Sequence, residues 1–140
     1  MDLLVMFTST ANIEKRLSQA SFLLEDKVEL NSITRRRLKF DLPMEAIISD
    51  VNTRKYVDKF TCSYHIIIDD EGNPLQSEIS FKGSGRAYLV LSVKVEQSGT
   101  SHYKVYGDRL VQIYSEYNGV ITTSLSPDYG FSGGHELTVL

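Results

Sequence analysis

The spacing of apolar residues changes along this 140-residue chain and divides it into helical and extended segments. Between residues 13 and 28, apolar side chains recur every three or four positions, which is the period of one helix face. Ile13, Leu17, Ala20, Leu24 and Val28 carry the pattern, and polar side chains at residues 8–12 offer N-caps. The pattern predicts a helix over residues 11–27. The apolar run at residues 2–7 is expected to form a short first strand or an ordered arm.

From residue 28 the period becomes two. The even positions include Val28, Leu30, Leu38, Phe40 and Leu42, and the odd positions include Glu29, Arg35, Arg37, Lys39 and Asp41. Residues 33–41 are therefore predicted to form a strand with an apolar face and a cationic face. Residues 28–32 either belong to that strand or close the helix. Asp41, Pro43 and Glu45 are typical of a helix start, which predicts a short helix at residues 44–50, with a further turn open at 53–58.

From Phe60 onward, short alternating runs are separated by turn-forming residues. Because short connections between successive strands place them antiparallel, this half is predicted to be an antiparallel meander. The Asn118-Gly119 pair is a strong hairpin signal. Other turns are predicted at 70–74, 82–86, 97–100 and 107–108. The clearest strand is predicted at 87–95 and a last edge strand at 137–140. A polar, glycine-rich loop is predicted at 126–134.

The predicted fold is therefore a single α+β domain over residues 1–140. It consists of an antiparallel sheet of six or more strands, packed on one face by the N-terminal helix and the second short helix. Residues 1–59 would supply the helical layer and one cationic strand, and residues 60–140 the sheet. All nine glycines lie between Gly72 and Gly134, and we assign most of them to turns.

Charge and cysteine content exclude several classes of protein. The net charge is −3, and neither part of the chain has the basic excess of a general nucleic-acid binder. The single cysteine, Cys62, excludes an intramolecular disulfide and a four-cysteine zinc site, and it favours a reducing cytosol of the protein's own cell or of a host cell. Apolar runs are too short for a signal peptide or a bilayer span, so a soluble protein is expected.

The densest positive charge lies on the predicted strand 33–41. Arg35, Arg37 and Lys39 would project from one face of this strand, about 6–7 Å apart. That spacing suits the phosphates of nucleic acid or lipid headgroups. The alternative is a solvated face that keeps an edge strand from pairing. The candidate anion-binding residues are Arg35, Arg36, Arg37, Lys39, Arg54 and Lys55.

No catalytic residue, metal ligand or cofactor is predicted. The three histidines lie far apart without a paired short spacing, and Cys62 shares the apolar parity of its strand, which favours a buried structural thiol. Residues 82–86 are better explained by a hairpin turn than by an anion cradle. Residues 69–73 are better explained by a solvated turn than by a calcium loop.

Aromatic residues are concentrated in the last third of the chain. A tyrosine-rich sheet face beside a glycine-rich loop suits a binding surface, because tyrosine is enriched at interfaces. Ordinary β-propensity accounts for the same tyrosines equally well. The candidate partner-binding residues are Tyr103, Tyr106, Tyr114, Tyr117, Tyr129 and Phe131.

The leading hypothesis is a non-enzymatic interaction protein that works in a cytosol. It would bind a protein partner, or itself as a homo-oligomer, through the tyrosine-rich face and the 126–134 loop. Small viral, phage or bacterial accessory proteins share this profile, which is an analogy at the level of the fold. The alternatives are binding of nucleic acid or an acidic membrane surface through Arg35–Lys39, and a small-molecule pocket or minor enzyme between sheet and helix.

Overall fold

The computed structural model describes residues 13–48, 50–87, 91–125 and 127–136. Within them the chain forms one antiparallel sheet of seven strands, and the order of the strands in space is their order in the chain. The predicted antiparallel meander of six or more strands is thereby confirmed. The strands are Ser21–Leu30 (β1), Ile33–Asp41 (β2), Val57–Ile68 (β3), Pro74–Ala87 (β4), Leu91–Tyr106 (β5), Arg109–Thr123 (β6) and Tyr129–Glu136 (β7).

The helical segments are short. Helix α1 covers residues 13–19, a 3-10 helix covers Met44–Ala46, and helix α2 covers Val51–Arg54. The carboxylate of Asp50 caps α2, since it accepts hydrogen bonds from the backbone N–H of Asn52 and the hydroxyl of Thr53. No helix in the described part of the chain is long and apolar enough to cross a membrane.

The predicted helix over residues 11–27 is wrong beyond residue 19, because β1 begins at Ser21. Leu24 and Val28 continue the helical spacing by coincidence and lie in this strand. Asn31 and Ser32 both have positive φ, 53° and 65°, as the two-residue turn of a tight hairpin requires. This turn places β1 against β2, and β2 has the predicted bounds of 33–41.

Of the second predicted helix, at 44–50, the described residues form only the 3-10 helix Met44–Ala46. The further helical turn that the sequence allows at 53–58 lies earlier, at Val51–Arg54. The predicted turns near 70–74 and at 107–108 are confirmed, and Gly72 and Gly107 adopt positive φ there.

Three other predicted turns are wrong, because the strands of the sheet are longer than the sequence pattern indicates. Residues 82–86, 97–100 and 118–119 lie inside β4, β5 and β6. A single strand over 87–95 is also wrong, since Ala87 pairs antiparallel with Leu91. The predicted loop at 126–134 is wrong from Tyr129 onward, where β7 begins. The predicted segments at 2–7 and 137–140 lie outside the described residues.

We call the side of the sheet that carries Tyr64 face A, and the side that carries His65 face B, because successive residues in a strand point to opposite sides. The hydrophobic core lies on face A around Tyr64, which is fully buried. Ile13 of α1 and Leu42 belong to the same cluster, together with Tyr103 of β5. No described residue of β7 belongs to it.

Candidate functional site

Two aromatic side chains of β6 and β7 lie over glycines of the opposite strand. Gly133 stands opposite Tyr117, and Gly119 stands opposite Phe131. A Cβ atom at Gly133 would lie 2.5 Å from the Tyr117 hydroxyl oxygen, and one at Gly119 would overlap the Phe131 ring and lie 2.7 Å from the carbonyl oxygen of Glu96. The glycines therefore leave room for the two rings, which cover the bare backbone beneath them and have centroids 6.3 Å apart.

Tyr129 extends this arrangement along β7. It stands opposite Ile121 and, by alternation along the strand, lies on the same side as Phe131. Tyr117 is 45% exposed and Tyr129 is 64% exposed. We call Tyr117, Tyr129 and Phe131 the aromatic patch. It is an apolar surface with polar hydroxyl tips on face A, at the edge of the sheet.

The other three tyrosines predicted to bind a partner do not join the patch. Tyr103 is buried in the core cluster. Tyr106 and Tyr114 lie on face B, where the Lys104 ammonium is 5.8 Å from the Tyr106 ring centroid. Tyr114 donates a 2.8 Å hydrogen bond to Glu116, and this bond raises the pKa of the Tyr114 hydroxyl. The six predicted residues are thus divided between the two faces and the core.

The glycine-rich segment predicted as a loop contributes the edge strand β7. Among the described residues no strand pairs with its outer side. In an antiparallel strand, alternate residues direct their N–H and C=O groups away from the neighbouring strand, so half of the residues of β7 present unpaired groups outward. The strand contains one charged residue, Glu136, and no lysine or proline, which are the residues that commonly block an edge.

The basic residues of β2 are engaged by carboxylates of β1. Arg37 donates hydrogen bonds of 2.9 and 2.6 Å to Asp26, and the Lys39 ammonium lies 3.5 Å from the same carboxylate. Arg36 pairs with Glu25 at 2.5 Å on the opposite face. The hydrogen bond from Arg37 lowers the pKa of Asp26 to about 2, so this carboxylate remains ionised and partly neutralises the basic strand.

Arg54 and Lys55, the other predicted anion-binding residues, lie elsewhere. Arg54 ends α2 and is 3.9 Å from Glu45, and Lys55 follows it. Lys39 of β2 pairs with His65, which is eight residues after the start of β3, or roughly 26 Å along the strand. The basic residues therefore form two separate groups. Arg35 shares face B with Arg37.

A groove of about 380 Å³ lies between the α2 segment and strands β4 and β5. Its floor is formed by Gly83 and Gly85, which stand opposite Val95 and Val93. Tyr56 closes one side, and its carbonyl oxygen lies where a Cβ atom of Gly85 would stand. Neither histidine nor carboxylate is present among the described lining residues, so the groove offers an apolar surface and no acid–base pair.

Titratable groups elsewhere offer little chemistry. Burial raises the pKa of the Cys62 thiol to about 11, which makes it a poor nucleophile at neutral pH. His65 lies 3.9 Å from Glu78 on face B, and burial together with Lys39 and Arg37 lowers its pKa. The described residues contain no group of three or more histidine, cysteine or acidic side chains that could hold a metal ion.

Sequence reasoning missed the fit between the aromatic rings and the glycines. The signal was present, because β6 and β7 both contain an aromatic residue followed two positions later by glycine, at Tyr117-Asn118-Gly119 and Phe131-Ser132-Gly133. Antiparallel pairing of two such segments sets each ring opposite a glycine. The chain matches no protein-family model, no curated protein and no solved structure.

Proposed function

We propose that the protein is a non-enzymatic interaction protein that binds a protein partner through the aromatic patch. The observation that carries the proposal is the seating of Tyr117 and Phe131 over Gly133 and Gly119, while Tyr117 and Tyr129 remain 45% and 64% exposed. Rings that are already positioned lose little conformational freedom on binding, and tyrosine combines a large contact area with a hydrogen-bonding tip.

The layering of the sheet supports the same proposal. Sheets are stabilised when a second layer covers their apolar face. Ile13, Ala46 and Ile47 pack at the core on face A, and we propose that the helical segments form the second layer over the first strands. For β6 and β7, a partner would supply that layer. A homo-oligomer is another form of the proposal, and the single buried thiol, Cys62, suits a reducing cytosol.

The test is site-specific photo-crosslinking in cells. A photoreactive phenylalanine analogue replaces Tyr129 in one variant and Val120 in the other. Val120 is a matched control, because it is 41% exposed and lies on face B of the neighbouring strand. We expect a discrete protein adduct from position 129 and none from position 120. Equal labelling from both positions, or no adduct from position 129, would contradict the proposal.

Anion binding through the basic strand has weaker support, because Arg36, Arg37 and Lys39 already contact Glu25 or Asp26. That alternative predicts binding to nucleic acid or anionic vesicles that weakens steeply with salt. Association that does not depend on salt, and that is unchanged in an Arg35→Glu/Arg37→Glu variant, would exclude it.

The groove beside α2 supports a second candidate, the binding of an apolar small molecule. Its volume of about 380 Å³ lies in the range of small-molecule sites. The probe is N-phenyl-1-naphthylamine, which fluoresces in apolar surroundings. We expect Val95→Trp, which fills the groove, to abolish its binding, and Lys94→Trp, on the other face of β5, to leave binding intact. Equal binding by both variants would place the probe elsewhere.

A further inference from the structure

We infer that the outer edge of β7 accepts an extended segment of the partner as an eighth strand, and that this segment alternates basic residues with apolar or small ones. The inference rests on the proposed function and adds the mode of binding and the chemistry of the partner. Three observations carry it: the open edge, the reach of Tyr117 toward that edge, and the negative charge of face B beside it.

The two edges of the sheet differ in how well they resist strand pairing. The first edge, β1, contains Glu25, Asp26, Lys27 and Glu29 in ten residues. The other edge, β7, contains Glu136 as its one charged residue in eight. Charged side chains protect an edge against pairing. The outer backbone groups of β7 are thus the better acceptor of a strand, since binding there desolvates little charge.

The aromatic patch continues to this edge. The Tyr117 side chain starts on β6 and passes over β7, since its hydroxyl oxygen lies 2.5 Å from where a Cβ atom of Gly133 would stand. The next strand position is about 4.8 Å farther out. A strand seated there would meet the tip of Tyr117 on face A. The same side of β7 carries Tyr129 and Phe131, so one segment would contact both the edge and the patch.

Face B supplies the charge preference. Glu136 stands opposite Tyr114, and Glu116 stands opposite Gly134 in the same ladder. Both carboxylates act on the Tyr114 hydroxyl and raise its pKa, which agrees with their position on one face. Strand β7 contains no lysine or arginine, and the one arginine of β6, Arg109, is the first residue of that strand, roughly 16 Å along it from Tyr114. Opposite charges on neighbouring strands stabilise their pairing.

This charge also decides between partners. An incoming strand gains most when its face B residues are lysine or arginine and its face A residues are apolar or small. A second copy of this chain would bring another Glu116 and Glu136 to the same interface. The structure therefore favours a different protein with a basic, alternating segment over pairing of β7 with itself.

The first test uses synthetic peptides and the full chain. One peptide alternates lysine with valine over nine residues, and a matched peptide alternates glutamate with valine. Binding is measured by titration of the ¹⁵N-labelled protein in nuclear magnetic resonance. We expect the lysine peptide to bind, to shift the amide signals of β7 and to protect alternate β7 amides from hydrogen exchange. We expect a Glu116→Gln/Glu136→Gln variant to bind it more weakly, by about tenfold.

The second test changes the peptide backbone and leaves the protein intact. Two further lysine peptides carry N-methyl groups on alternate residues, one set on odd and one on even positions. Only one edge of the added strand would bond to β7, so only every second N–H group of the peptide is needed for pairing. The peptide whose methyl groups lie on the outer edge should therefore bind like its parent, and the other should lose binding by about tenfold or more. Equal binding by both would overturn strand addition, as would binding of the glutamate peptide in place of the lysine peptide.

The remaining outcomes separate the inference from the proposed function. A partner crosslinked at position 129, combined with no exchange protection in β7, would overturn strand addition while the patch remains a binding surface. Concentration-dependent self-association that protects β7 amides would overturn the choice of a different, basic partner.

Discussion

Tyr117 and Gly133 stand directly opposite each other on β6 and β7, and the tyrosine ring fills the space that a side chain at Gly133 would occupy. The ring remains 45% exposed, so the contact orders a surface side chain without burying it. Glycine at this position therefore positions an aromatic group, which differs from its usual use in a turn.

Replacement of this glycine should release the ring. A Cβ atom in Gly133→Ala would meet the outer atoms of the Tyr117 side chain at 2.5–2.8 Å, and that side chain can swing away. We expect the free energy of unfolding to fall by about 1 kcal/mol and the Tyr117 ring signals to show increased mobility. Gly130→Ala is the control, because its nearest atom is 3.8 Å away. Equal effects of the two changes would contradict the contact.

Gly85 should be far less tolerant than Gly83. A Cβ atom at Gly85 would overlap the carbonyl oxygen of Tyr56 and lie 2.9 Å from its carbonyl carbon, whereas one at Gly83 would lie 3.6 Å from Phe60. The backbone cannot move away as a side chain can. In urea denaturation we expect Gly85→Ala to lower the free energy of unfolding by about 2–3 kcal/mol and Gly83→Ala by less than about 1 kcal/mol. A reversed order would refute the crossing of Tyr56 over Gly85.

The buried hydrogen bond between Tyr103 and Ser77 should stabilise the core. The two hydroxyl oxygens are 2.8 Å apart, and both residues are buried. Tyr103→Phe and Ser77→Ala each leave one hydroxyl without its partner, and we expect each to cost about 1–2 kcal/mol. The double variant should cost less than the sum. Tyr129→Phe is the exposed control, and additive losses from Tyr103 and Ser77 would show that they are not coupled.

Asp26 should make stability depend on pH in the acid range. The hydrogen bond from Arg37 lowers the pKa of this carboxyl from 3.8 to about 2 in the folded state. The folded protein is therefore stabilised above pH 4, and that stabilisation is lost as the pH falls through 2. The difference in unfolding free energy between wild type and Asp26→Asn should shrink from pH 5 to pH 2. In an Arg37→Gln background, a difference that shrinks by the same amount would exclude Arg37 as the cause.

Cys62 should be inert in the native protein. The side chain is 3% exposed, and burial raises the pKa of its thiol to about 11. At pH 8 we expect iodoacetamide to modify it only as fast as the fold opens. In guanidinium chloride the same thiol should react at once. Rapid labelling of the native protein, at the rate of the unfolded chain, would show that this part of the core is open.

The sequence pattern was sufficient where side-chain alternation and local turn chemistry agree. Strand β2 has the predicted bounds because Leu38 and Phe40 alternate with Arg37, Lys39 and Asp41 along its second half. Gly107 marks a turn that is short, polar and local, so its position was also predictable. In both cases the necessary information lies within a few residues of the feature.

The pattern failed where a partner strand decides the conformation. Asn118-Gly119 is a hairpin signal in isolation, yet here Gly119 lies in β6 because the Phe131 ring needs the space above it. A single strand does not reveal which of its glycines will lie beneath a ring of the next. The same limit explains the predicted helix, since Leu24 fits a helical period and its strand is recognised only through the Asn31-Ser32 turn.

The division of the tyrosines follows from alternation along each strand. Tyr103 and Tyr106 are three residues apart in β5, and Tyr114 and Tyr117 are three residues apart in β6, so the members of each pair point to opposite sides. Which side faces the core depends on how β4, β5 and β6 pair with one another. That pairing is not visible in any one strand alone.

The order of the strands has a consequence for how the protein is made. Each strand pairs only with its neighbours in the chain, so the sheet can grow by one strand at a time as the chain leaves the ribosome. The last of these strands to emerge is β7, which completes the seat of the Tyr117 ring. Nascent chains that end before residue 129 would therefore lack the edge that we propose as the binding site, and the proposed recognition of a partner would begin only once β7 has paired with β6.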